Sequence, residues 1–327
     1  MHPTALNRFF AVGFLALASN CADAQSPEPP GWPSRSLTFI IPAPPGGAVD
    51  LTARVIGDKL AERFGRPVVV DSRPGADGII AAEAFLRNAD KEHTFMVTFG
   101  GLLINNPMSY EKLPYDAEWD FLPVSMLATD TIVIGANVGF AADDLAGLVS
   151  LMRAHPEAVR WSSAPGEPRL RFFGFLKQVD ARPLYVPYKA TSQAIIDMIA
   201  GRIDVMISPL AAVLPNARAG KLKLLAVMSP MRSPVVPNVP STSEAGYQGL
   251  AMVPFVGLFA RRATDGRIVD RMNREIGAIL ADSAVRSRLM DVGLSPNPGS
   301  PAELGATIAA KLLENRELAR VVGPIWQ

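Results

Sequence analysis

The sequence predicts an α/β protein of two domains, and three observations carry the prediction. Short apolar runs rich in β-branched residues alternate with amphipathic segments of 3.6-residue period. That alternation occurs twice, over residues 37–99 and again over residues 131–227. The length, 327 residues, suits two domains at about 150 residues each, and the apolar fraction of 49% is that of a folded chain rather than a disordered one.

In the first unit, Leu37–Ile41 reads as a strand, closed by Pro42 and the turn Pro44-Pro45-Gly46-Gly47. A helix follows, with Leu51, Val55, Leu60 and Phe64 near one face and Gly65 and Pro67 as its stop. Residues 68–70 form a second strand, 71–75 a turn, 78–88 a helix and Thr94–Phe99 a third strand. Strand and helix in this rhythm imply a parallel sheet with right-handed crossovers.

The second unit predicts strands at 131–136, 159–163, 184–186, 203–207 and Leu222–Val227. Helices fall at 143–154, 168–179 and 192–200, with a short one ending at Gly220. A proline-rich stretch, 230–240, breaks the pattern, 253–260 reads as a further strand, and the remainder is helical. Ser300-Pro301-Ala302-Glu303 starts the last helix, with Ser300 as N-cap, Pro301 in the first position and Glu303 closing a capping box.

Composition excludes several function classes. With 32 Lys+Arg interspersed among 31 Asp+Glu, there is no basic face for nucleic acid and no polybasic membrane anchor. Residues 1–24 read as a secretory signal: Arg8, an apolar run over 9–18, then Ala22-Asp23-Ala24 before Gln25. Two other readings of this segment, a buried helix and a lipoprotein signal ending Ala18-Ser19-Asn20-Cys21, are weaker; the second is opposed by the polar Asn20. Cys21 is the single cysteine and lies inside the leader, so the mature chain is expected to hold no disulfide and no cysteine metal site. No cofactor or metal is expected.

Nor is an enzyme expected. The chain has no G-x-S-x-G elbow, no phosphate loop and no G-x-G-x-x-G after a strand. His93 and His155 stand alone between elements, and Asp143-Asp144 most simply loads a helix's first turn. Two junctions could instead bind an anion. Pro44-Pro45-Gly46-Gly47-Ala48-Val49-Asp50 and Ser162-Ser163-Ala164-Pro165-Gly166-Glu167-Pro168 each join a strand's end to a helix's start, where unpaired N–H groups and the dipole favour negative charge. One such turn alone could be structural; two, in two units, suggest a cleft with donors on each wall. Arg169 and Arg171 sit two apart, so at most one faces that cleft.

A further set of motifs runs in order along the chain. It includes Ala53-Arg54, Gly65-Arg66-Pro67-Val68-Val69-Val70, Arg73-Pro74-Gly75-Ala76, Asn106-Pro107 and Lys112-Leu113-Pro114-Tyr115-Asp116. Val186-Pro187-Tyr188-Lys189, Gly201-Arg202-Ile203-Asp204-Val205-Met206, Ala219-Gly220-Lys221-Leu222 with Leu225-Ala226-Val227, and Val239-Pro240 with Glu244-Ala245-Gly246 follow. With the Pro44–Asp50 turn, these make residues 32–323 resemble the solute receptors of tripartite tricarboxylate transporters, the Bug-type receptors.

The resemblance implies a periplasmic binding-protein fold: two α/β domains joined by two crossover strands, with a cleft between. It divides the mature chain into residues 33–128 plus 257–327 and residues 129–256. It also implies a soluble periplasmic receptor, monomeric, that holds a carboxylate-bearing solute largely through backbone groups and hands it to membrane permease subunits. Carried onto this chain, the contacts are Pro45, Gly46, Gly47, Ala48 and Asp50 on one wall and Ser163, Ala164 and Gly166 on the other. Arg171 falls where the family has His, and Ser208 where it has Asp. Asp50 is expected to orient its loop or a water. A sensing role with a membrane signalling partner, or an enzyme on the same scaffold, are the alternatives.

Departures from the family pattern bear on the solute. Pro165, Glu167 and Pro168 replace two glycines and a serine, Ala43 replaces an aromatic residue, and Phe99-Gly100-Gly101-Leu102 replaces a hydroxyl-rich run. Fewer hydroxyls and amides point to a less polar solute, an aromatic or branched monocarboxylate.

Overall fold

The structure is a computed structural model that describes residues 29–164, 166–188 and 190–323. The leader expected over residues 1–24, with Cys21, lies outside the described residues.

The first unit forms as its periodicity predicts. Strands β1 (Leu37–Ile41), β2 (Val68–Ser72) and β3 (Thr94–Phe99) are parallel, connected by α1 (Ala48–Phe64) and α2 (Ile79–Arg87). Short helices α3 (Gly101–Ile104) and α4 (Asn106–Ser109) lead to a ten-residue strand, β4 (Phe121–Asp130), and one residue later to β5 (Ile132–Asn137). β4 ends in one sheet and β5 begins in the other.

The second sheet follows: α5 (Leu145–Ala154), β6 (Arg160–Ser163), α6 (Glu167–Gln178), β7 (Leu184–Tyr185), α7 (Thr191–Ile199), β8 (Val205–Pro209), α8 (Leu210–Arg218) and β9 (Leu222–Val227). The chain then returns through β10 (Phe255–Arg261) to the first sheet and finishes with α9 (Gly266–Ala281), α10 (Ser283–Asp291), β11 (Leu294–Pro296) and α11 (Pro301–Val322). Sheet orders are β11-β4-β10-β3-β1-β2 and β7-β6-β8-β5-β9.

Both sheets are mixed rather than wholly parallel. β10 runs antiparallel to β3 and β4, and β5 runs antiparallel to β8 and β9. The reason is connectivity: strands joined by a helical crossover pair in parallel, whereas the strands that carry the chain between sheets enter from the opposite end. At the crossing the two passages touch, the Asp130 N–H donating to the Pro254 carbonyl at 2.8 Å.

Each sheet is covered on both faces, which is why its strands are continuous apolar runs. Phe39, Ile41, Phe95 and Val97 pack with α1 and α9, while Ile40 and Met96 point the other way onto Phe85 and Leu304. In the second sheet Trp161 is fully buried against Phe172 and Phe173, and Met206 packs in one cluster with Met198. The capping box forms at α11: the Glu303 N–H donates to Ser300 Oγ at 3.2 Å and the Ser300 N–H to Glu303 Oε2 at 2.7 Å.

Helix α11 packs on β4 and also on α6 of the second sheet. Leu318 lies over Gly174, where an added Cβ would come within 2.7 Å of its Cδ1, and Lys177 Nζ donates to the Val321 and Val322 carbonyls at 2.9 and 3.0 Å.

Candidate functional site

A cavity of about 610 Å³ lies where the two sheets face each other. Phe99, Gly100, Gly101, Asn105 and Asp77 line it from the first sheet's side, and Ala164, Gly166, Glu167, Arg169 and Pro209 from the second's. Asp130, Ile132 and Pro254, on the passages between sheets, and Lys311 of α11 complete it. The glycines are sterically required. A Cβ on Gly100 would stand 2.7 Å from the Phe255 ring, and one on Gly166, whose φ is +81°, 3.1 Å from Asn105 Nδ2.

Opposite charges meet in this lining. Arg169, in the first turn of α6, has no carboxylate within 4.0 Å among the described residues, and its buried Nε has no partner among them. Its Nη1 reaches only the Tyr185 hydroxyl, at 3.5 Å. Lys311 Nζ stands 3.8 Å from Glu167 Oε1. Asp77 is engaged, accepting from the Tyr110 hydroxyl at 2.7 Å. Asp130 is different: burial pushes its carboxyl up to about 7, against the single hydrogen bond its side chain accepts among the described residues, from the Thr131 N–H at 2.7 Å.

Of the residues expected from the sequence, Ala164 and Gly166 line the cavity. The Ala164 N–H is already donated to the Ile207 carbonyl at 2.8 Å, so it is wall rather than donor. Ser163 lies beneath it, with Oγ donating to the Ala164 carbonyl at 2.8 Å. Ser208 is fully buried outside the lining, its Oγ without a partner among the described residues.

Pro45, Gly46, Gly47, Ala48 and Asp50 are not among the lining residues of this cavity. Pro45 and Gly46 are exposed, while Asp50 turns inward, 2% exposed, and takes the Gly46 N–H and Arg54 Nε, each at 2.9 Å. Despite burial, which opposes it, the bonds from Arg54 and Gly46 hold the Asp50 carboxyl below its usual range. The first junction therefore supplies its own anion at the α1 N-terminus.

Arg171, expected at the cleft, is instead buried in ion pairs: its Nε donates to Glu167 Oε1 and its Nη2 meets Glu314 Oε1, each at 2.9 Å. Two residues of helix turn the chain by about 200°, so it is Arg169 that reaches the cavity. The two-residue spacing limited the choice to one arginine without deciding which. Asp130, Asn105 and Lys311 carried no local motif, because three separate elements bring them together.

Among the described residues no helix is long and apolar enough to cross a membrane, and no cluster of His, Cys, Asp or Glu could hold a metal ion. Comparison with known proteins gives the affiliation. A family model described as tripartite tricarboxylate transporter family receptor matches residues 52–323. Protein BugT of Bordetella pertussis strain Tohama I is 30% identical over 313 residues, 95% of each chain. Among solved structures, R. palustris Rpa4515 with adipate superposes with a TM-score of 0.79 at 28% identity, over 89% of this chain and 98% of that one. MatC (Rpa3494) from Rhodopseudomonas palustris with bound malate gives 0.73 at 28%, over 89% and 100%. The two-sheet architecture, with its cavity at the crossing of two strands, is that of periplasmic binding proteins, and this chain belongs to the tripartite tricarboxylate transporter receptor family.

Proposed function

We propose that the chain captures a small carboxylate-bearing solute in the cavity between its sheets and delivers it, chemically unchanged, to the membrane subunits of a tripartite tricarboxylate-type transporter. The observation that carries this reading is Arg169: a guanidinium without a counter-ion among the described residues, in the first turn of a helix, on the wall of a cavity of about 610 Å³. Charge-assisted hydrogen bonds contribute roughly 1.5–3 kcal/mol each, and micromolar affinity needs about 8 kcal/mol. Arg169, Lys311 and the α6 N-terminus at Gly166 can supply that after ordering costs. The relatives solved with adipate and with malate support a carboxylate.

In this proposal residues 33–128 and 257–327 form one lobe and 129–256 the other, and they close on the solute about the passages at Thr131 and Pro254. The leader over residues 1–24 directs export to the periplasm, where the receptor works as a monomer. Isothermal titration calorimetry with aliphatic and aromatic monocarboxylates, adipate and malate tests the reading. Micromolar binding of at least one, weakened tenfold or more by Arg169→Gln, is expected; affinity indifferent to that substitution sinks it. Uptake of the same solute should require both this chain and the permease.

A further inference from the structure

Three carboxyl side chains line the cavity, and two are already engaged. Asp77 accepts from Tyr110, and Glu167 is held by Arg171 at 2.9 Å with Lys311 at 3.8 Å. Asp130 has no cation within 4.0 Å among the described residues, and among them its side chain accepts only the adjacent Thr131 N–H, on Oδ1. Arg169, on the same lining, is likewise without a charged partner among the described residues. The two are therefore more than 4.0 Å apart and do not neutralise each other.

We infer that the cavity selects a solute with two unlike ends: a carboxylate for Arg169, and elsewhere on the same molecule a hydrogen-bond-donating group, ammonium or hydroxyl, for Asp130. The inference rests on the receptor reading above. With Asp130 ionised, a solute with an apolar second end would bury its carboxylate against nothing that can donate to it, and a dicarboxylate would set like charge against it; both outcomes disfavour the wrong solute. An ammonium or hydroxyl group satisfies it. The selectivity thus lies on the passage between sheets, at a residue that neither glycine-bearing junction contains.

The test uses matched series that differ only at the second group, titrated into the purified receptor by calorimetry at pH 8, above the value of about 7 to which burial raises the Asp130 carboxyl. One is 6-aminohexanoate, 6-hydroxyhexanoate, hexanoate and adipate; the other is phenylalanine, 3-phenyllactate, 3-phenylpropionate and benzylmalonate. In at least one series the amino or hydroxy member is expected to bind tenfold or more tightly than both the unsubstituted acid and the dicarboxylate. Which of the two donors leads identifies ammonium or hydroxyl. Asp130→Asn, nearly isosteric and uncharged, should bring the dicarboxylate within threefold of the donor-bearing member, and Asp130→Ser should do the same. The inference is overturned if the unsubstituted acid or dicarboxylate matches the donor-bearing member in both series, or if neither substitution narrows the gap. Absence of binding by every compound overturns the carboxylate-receptor reading and the inference with it, whereas binding that depends on Arg169 but ignores the second group overturns the inference alone.

Discussion

Arg171 and Glu167 lie one helical turn apart with side chains 3% and 8% exposed, so removing either leaves a buried charge without its 2.9 Å partner. Arg171→Met should destabilise the fold by about 3 kcal/mol or more, since it strands a buried carboxylate with only Lys311 near it. Arg171→Met combined with Glu167→Leu should recover much of that loss, and urea denaturation of both variants measures the difference. Asp130 gives a pH dependence. Its carboxyl is raised from 3.8 to about 7, so the folded state holds a proton that the unfolded chain has released. Stability is therefore full below the unfolded value and falls as pH climbs to the folded one. Thermal melts should show Asp130→Asn more stable than the parent at pH 8 and little different at pH 4, and equal stabilities at pH 8 would refute the burial argument. At this scale the sequence was only partly readable. Local spacing showed that one of Arg169 and Arg171 faces the cavity, but the choice depended on where α6 begins and how it rests on its sheet. Asp130 gave no signal because its isolation is a property of what surrounds it, not of its neighbours in sequence.

Among the elements, those with a local origin follow the sequence closely: β1, α1, β3, β9 and the capping box of α11 stand where periodicity and stop signals put them. β4 escaped such a reading because Pro123 interrupts it. In the sheet, Pro123 sits at a register shift opposite Phe259, one of the few places where a strand accepts a residue without an N–H. The start of α1 makes a prediction of its own. Asp50 bonds the Gly46 N–H inside the turn, so Asp50→Ala should cost on the order of 1 kcal/mol and leave Gly46 free to exchange. Hydrogen–deuterium exchange at Gly46 checks this, and unchanged protection would show that the turn holds without the carboxylate.

For the whole molecule, the division into two sheets was foreseeable from the doubled alternation, but their mixed pairing and the attachment of α11 to α6 were not. A helix that follows eleven strands in sequence gives no sign of which surface it will cover. Because Leu318 fills the space over Gly174, Gly174→Val should displace α11, lowering the melting temperature by several degrees, while Leu318→Ala should relieve the clash in the double variant. The same attachment constrains motion. Two strand passages alone would let the halves both swing and twist; a third strut, set away from them and pinned through Lys177 to the Val321 and Val322 carbonyls, resists the twist. Any jaw-like movement is then confined to a single arc, and, in the receptor role proposed above, the face offered to a membrane partner would keep one fixed orientation on every cycle.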